Sequence, residues 1–169
     1  VERLGARPTL DVHGIVGGYM GDGAKTVLPG QAHAKISMRL VPDQDPQEIA
    51  RLFKSYVEEI APPTVTVDVT VRGGAPATIT DLDMPAMQAA QEALTAAFNT
   101  APVLMREGGS IPVVGEFQSI LGLETILMGF GLPDDQIHAP NERFYLPNFY
   151  RGIEASIYFL QALGRHQAD

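Results

Sequence analysis

The alternation of apolar and polar positions opens the chain with two strands. Residues 9 to 18, TLDVHGIVGG, predict a strand that runs into a glycine-rich loop ending near Gly30. Ala32, Ala34, Ile36, Met38 and Leu40 then alternate with His33, Lys35, Ser37 and Arg39, the period of a half-buried strand with Arg39 on its polar side. The period changes to that of a helix at Ile49, Leu52, Phe53, Tyr56, Val57 and Ile60. Asp45 suits the N-cap, Pro46 the first turn, and Glu48 completes a capping-box arrangement, while Pro62 and Pro63 end the helix. Valines at 65, 67, 69 and 71 return to period two and predict another strand. The order β-β-α-β predicts an antiparallel sheet with a helix on one face.

Two glycines and a proline in RGGAPATIT mark a boundary, dividing the chain into residues 1–76 and 77–169. Beyond it the pattern predicts a helix over 83–98, a strand at PVLMREG, a helix over 112–121 and a strand at ETILMGFG. A loop around residue 138 follows. A last helix over 147–164 places Phe149, Ile153, Ile157 and Leu160 on one face. Strands alternating with helices predict part of a parallel or mixed α/β sheet. The expected fold class is therefore α+β in the first part and α/β in the second.

Charge and composition narrow the function. A net charge of -8 without a basic cluster argues against nucleic acid, whose phosphates need Lys and Arg. With no cysteine, disulfide frameworks and thiolate metal sites are excluded. No apolar run approaches the ~18 residues of a membrane span. The opening VERLGARPTL has neither a leading Met nor a signal-peptide plan. It reads as a chain that begins mid-protein, expected in the cytoplasm and away from membranes.

Candidate chemistry lies in loops. His138, in IHAPNE, follows a buried apolar run, where open α/β sheets place their sites. A neutral imidazole there can ligate zinc, with Asn141 or Glu142 orienting it; it can equally hydrogen-bond a turn. In MREGGSIP, Gly108 and Gly109 permit close backbone approach to a ligand, and Ser110 precedes a helix start suited to a carboxylate. The same residues also suit a tight turn and an N-cap. Arg39 can clamp a carboxylate or simply face water. Glu58 and Glu59, in the last turn of an amphipathic helix, read as solvated. His13, beside glycines, is a weaker candidate.

Taken in order, HGIVGGYMGDGAKTVLP, SMRLVPDQDP, MREGGSIPVV and IHAPNERF resemble the dinuclear-zinc metallopeptidase family of carnosinases, bacterial dipeptidases, aminoacylases and acetylornithine deacetylases. The resemblance covers nearly the whole chain and is strongest to the carnosinase-like dipeptidases. It implies part of a βαββαβ lid, through which subunits dimerise, over residues 1–76. It also implies the C-terminal part of a zinc-bearing catalytic domain over 77–169.

Carried over residue by residue, the resemblance makes His138 a zinc ligand and Arg39 the lid arginine that binds the substrate carboxylate. Thr26, Gly109 and Ser110 become substrate contacts, and Asn141 and Glu142 supports of the His138 loop. It implies two zincs per intact subunit, with manganese or cobalt as other possible metals, a dipeptide or N-acyl-amino-acid substrate, and a homodimer. The family's histidine–aspartate zinc motif, bridging aspartate, catalytic Glu-Glu pair and remaining acidic ligand are absent from these residues. No catalytic base is therefore assigned here, and the piece alone is expected to be inactive. The alternatives are an acylamino-acid deacylase of the same family and a non-catalytic dimerisation module.

Overall fold

The computed structural model describes residues 2–107 and 111–166. The fold is mixed α+β and separates into two compact units. One comprises Val1–Thr78 with Met105–Gly115; the other comprises Ile79–Leu104 with Glu116–Asp169.

The first unit opens with a one-turn helix, α1 (Glu2–Gly5), too short to show a sequence period. Strands β1 (Thr9–Gly17) and β2 (Ala32–Arg39) then pair antiparallel, Thr9 opposite Arg39 and Gly17 opposite Ala32. The register slips between Val12 and Gly14, so His13 is the extra residue of a β-bulge. The slip changes which β1 side chains share a face. Leu10, Val12, Ile15 and Gly17 lie with Ala32, Ala34, Ile36 and Met38, while Thr9, Asp11, Gly14 and Val16 lie with the polar set of β2. One face is thus wholly apolar. The expectation of a half-buried β2 holds only at its end: Met38 and Leu40 are half-buried, whereas Leu10, Val12 and Ile15 of the same face are 54%, 51% and 77% exposed.

Helix α2 (Pro46–Ile60) begins as the sequence predicts. The Glu48 main-chain N–H donates to the Asp45 carboxylate at 2.8 Å, and Pro46 occupies the first turn, where its missing N–H costs nothing. The second half of the capping box does not form. Arg51 instead donates twice to the Glu48 carboxylate, at 2.7 and 2.6 Å, and that bond holds the carboxyl below its ordinary range. Ile49, Phe53 and Val57 are half-buried; Leu52, Tyr56 and Ile60 stay exposed.

The valine alternation at 65–71 does not become a strand, and neither do the described residues of the expected strands at 102–108 and 124–131. Among the described residues β1 and β2 make up the sheet. Alternation favours extended backbone, but a strand exists only where a neighbour supplies ladder partners. The predicted third strand and the predicted α/β sheet therefore lack hydrogen-bonded counterparts here.

In the second unit α3 (Pro85–Phe98) packs along α5 (Leu146–His166). The contact uses small side chains. Met87, Ala89, Ala90 and Ala93 are buried on α3, and Gly152, Ala155 and Ala162 on α5. The face expected from Phe149, Ile153, Ile157 and Leu160 is instead largely exposed. Helix α5 is apolar on two sides, and the side that admits the closest backbone approach faces α3. Asn99, in the left-handed conformation at φ 53°, ends α3. Helix α4 (Pro112–Leu121) is contributed by both units and buries Val114 and Gly115.

Candidate functional site

The loop carrying His138 is built from successive tight turns closed at both ends. Asp135 N–H donates to the Leu132 carbonyl at 3.1 Å, Ala139 N–H to Gln136 at 2.9 Å, and Glu142 N–H to Ala139 at 3.2 Å. Arg143 N–H then returns to the Asp135 carbonyl at 3.0 Å, closing residues 135–143 into one loop. Gln136, His138 and Asn141 all take positive φ, 54°, 64° and 64°. That region is uncommon for residues with a Cβ, although Asn and His tolerate it better than most.

His138 is exposed. Its main-chain N–H donates to the Glu142 carboxylate at 3.3 Å, so Glu142 grips the backbone of His138. Asn141 supplies the left-handed turn between them. Immediately downstream, the Asn148 side-chain amide donates to the Phe130 carbonyl at 3.0 Å, fixing the start of α5 against the segment that leads into the loop.

Two residues that sequence reasoning passed over anchor this loop. Asp135 is buried, at 2% exposure, and its Oδ2 accepts the Leu132 N–H at 2.6 Å. Arg143 pairs with Asp134 and faces Asp135 Oδ1 at 3.9 Å. The signal available was the doubled Asp134-Asp135 eight residues ahead of an arginine, but nothing in the sequence says which aspartate turns inward.

In the first unit Arg39 is the last residue of β2, exposed, on the face it shares with Ser37, Lys35 and His33. Thr26 is the exposed centre of a γ-turn, in which Val27 N–H donates to the Lys25 carbonyl at 3.0 Å. The surrounding loop is pinned by Tyr19, whose hydroxyl donates to the Asp22 carbonyl at 3.2 Å and whose ring lies 5.5 Å from the Lys25 ammonium. Gly109 and Ser110 lie outside the described residues. Glu58 faces Lys54 at 3.9 Å with its side chain 51% exposed, the surroundings of a solvated carboxylate.

Among the described residues no three His, Asp or Glu side chains come together as a metal shell. The His138 loop offers a single imidazole, one donor where a catalytic zinc typically takes about three.

Residues 2–162 match peptidase family M20/M25/M40. The chain belongs to that family. It is 31% identical over 158 residues to the Cys-Gly metallodipeptidase DUG1 of Saccharomyces cerevisiae, covering 91% of this chain and 33% of the relative. It is 30% identical over 165 residues to the human Beta-Ala-His dipeptidase, covering 94% and 32%.

Among solved structures it superposes on the yeast di-peptidase Dug1p with a TM-score of 0.85 at 28% identity, covering 97% of this chain and 35% of that one. It superposes on the M20 family metallo-carboxypeptidase Sso-CP2 from Sulfolobus solfataricus with a TM-score of 0.81 at 30% identity, covering 96% and 37%. The chain spans about a third of the length of the curated relatives it matches. No helix among its described residues is long and apolar enough to cross a membrane.

Proposed function

We propose that this chain is the C-terminal part of a metal-dependent dipeptidase, in which residues 1–76 belong to a dimerising lid and 77–169 to the catalytic domain. His138 is the metal ligand it contributes. The observation that carries this reading is the closed loop over 135–143, which holds an exposed imidazole in a left-handed backbone conformation by main-chain and carboxylate hydrogen bonds.

When bound, zinc supplies Lewis acidity toward the scissile amide carbonyl. The chain's own residues bind and orient. Arg39 offers a planar two-pronged donor for the substrate's terminal carboxylate, and Thr26, Gly109 and Ser110 add polar contacts on the same side of the substrate. Relatives named as dipeptidases and a carboxypeptidase share substrates with a free C-terminal carboxylate, which supports that role for Arg39. The general base and the other metal donors belong to residues outside this chain, so the isolated chain is inactive. In a homodimer, the apolar face of the β1–β2 sheet is a surface for association.

The test is hydrolysis by the full-length protein of three substrate sets: dipeptides, the same dipeptides as C-terminal amides, and N-acetyl amino acids. Chelator-sensitive cleavage of the dipeptides, strongly reduced for the amides, supports the reading. Cleavage confined to N-acetyl amino acids assigns the protein to the deacylases.

A further inference from the structure

Asp135 is a buried charge that the proposed chemistry does not use. Its Oδ2 accepts the Leu132 N–H at 2.6 Å, and its main-chain carbonyl accepts the Arg143 N–H at 3.0 Å. Its Oδ1 is buried and accepts no hydrogen bond among the described residues; Arg143 Nε faces it at 3.9 Å. A carboxylate at 2% exposure is costly unless it is paired and hydrogen-bonded, so an aspartate that served only to fill space would be better replaced by an apolar residue. What this residue does is join three points of the chain: its carboxylate binds Leu132 before the loop and faces the Arg143 guanidinium, and its main-chain carbonyl binds the Arg143 N–H at the loop's end. Between them lie the three residues with positive φ, His138 in the middle. Left-handed backbone at non-glycine residues persists where surrounding contacts over-determine it. The Asp135 contacts span the loop's two ends from the buried side, and the exposed Arg143–Asp134 pair spans them from the outside. Arg143 is shared with the exposed Asp134, a pairing that binds weakly in water and leaves the guanidinium available to the buried partner.

We infer that Asp135, acting through Leu132 and Arg143, is the positioning residue that holds the His138 imidazole in its ligating orientation. The inference rests on the reading of His138 as a metal ligand. Residues that orient a metal ligand without touching the metal typically change metal affinity about 10- to 100-fold when replaced. Asp135→Asn keeps an oxygen for the Leu132 N–H and removes the charge facing Arg143. Arg143→Gln removes the other partner from a half-exposed position, where folding is least at risk.

The experiment uses the full-length protein and zinc alone as the probe. Zinc affinity is measured by competition with a chromogenic chelator, and amide hydrogen exchange is followed at Leu132 and Arg143, for the wild type, His138→Ala, Asp135→Asn and Arg143→Gln. His138→Ala is expected to lose tight binding. Asp135→Asn and Arg143→Gln are expected to weaken it about 10- to 100-fold, with faster exchange at both amides and an unchanged melting temperature of the metal-free protein. Loss of zinc in His138→Ala alongside wild-type affinity in the other two overturns the positioning role and leaves the ligand assignment standing. Undiminished affinity in His138→Ala removes the ligand assignment itself. In that case wild-type exchange rates in Asp135→Asn and Arg143→Gln would also remove the claim that Asp135 fixes the loop. A fall in melting temperature with zinc affinity intact would make Asp135 a structural residue and nothing more.

Discussion

His138 donates its main-chain N–H to the carboxylate of Glu142, four residues on and 3.3 Å away. The bond holds the backbone on which the imidazole pivots, and the ring stays open to solvent. Replacing Glu142 by Ala removes the acceptor, while Gln retains a carbonyl oxygen in its place. Glu142→Ala is therefore expected to weaken zinc binding by the full-length protein about tenfold or more, and Glu142→Gln to stay close to wild type. Equal affinities for the wild type and the Ala variant would show that Glu142 has no part in presenting His138.

The Asp45 cap is a purely local device, so its removal should act on stability alone. Its carboxylate accepts the Glu48 N–H at 2.8 Å at the start of α2. Asp45→Ala is expected to cost about 1 kcal/mol, and Asp45→Asn a few tenths at most. Urea unfolding monitored by circular dichroism measures both; indistinguishable midpoints for wild type and Ala would mean that α2 does not depend on its cap.

Gly152 tests the close approach behind the loop. A Cβ added there would meet the Phe130 ring at 3.0 to 3.2 Å. That ring has little room to give, since it stacks on Phe98 with centroids 6.2 Å apart and an interplanar angle of 3°. Gly152→Ala places a better helix former in α5, yet overpacking is expected to win and to destabilise the unit by about 1–3 kcal/mol. An unchanged or raised unfolding midpoint would contradict the packing described.

Acid should weaken the link between α3 and α5. The Glu92 carboxylate bonds His166 Nε2 at 3.0 Å and Arg165 at 3.3 Å. The His166 hydrogen bond, followed by the charges of His166 and Arg165, lowers the Glu92 carboxyl below its ordinary 4.5. A lowered carboxyl contributes stability above its ordinary value and loses it as pH falls through the folded-state value. The advantage of wild type over Glu92→Gln should therefore be present near neutrality and vanish under acid conditions, below the ordinary carboxylate range. It should be small, because the side chains are largely exposed and solvent screens them. An advantage that persisted undiminished below the carboxylate range would refute the pairing.

Much of this molecule was readable from residues whose effect is local. Asp45 with Pro46 announced α2, and strict alternation announced β2, because caps and periods act within a few residues. What depended on distant partners was not readable. The valines at 65–71 satisfy every local requirement of a strand, but a ladder needs a neighbour that the sequence cannot supply by itself. The bulge at His13 is a property of the pairing between β1 and β2, so the face to which Ile15 belongs was invisible until the register was known. In α5 the bulky stripe of Phe149, Ile153 and Ile157 outweighed the small residues, whereas packing on α3 selected Gly152, Ala155 and Ala162. His138 stood out by its chemistry. Asp135 did not, because two adjacent aspartates look alike until one of them is buried.

The central claim is that His138 is a metal ligand of a dipeptidase, and the most direct measurement is made on the full-length protein with His138 replaced by Ala. Zinc content after dialysis and turnover of a dipeptide are measured together, with Glu58→Gln on the solvated face of α2 as the control. A catalytic zinc is typically held by about three protein ligands, so losing one should release the metal and lower turnover by orders of magnitude. Glu58→Gln should remain close to wild type in both. A His138→Ala enzyme that keeps its zinc and hydrolyses dipeptides at the wild-type rate would contradict the account.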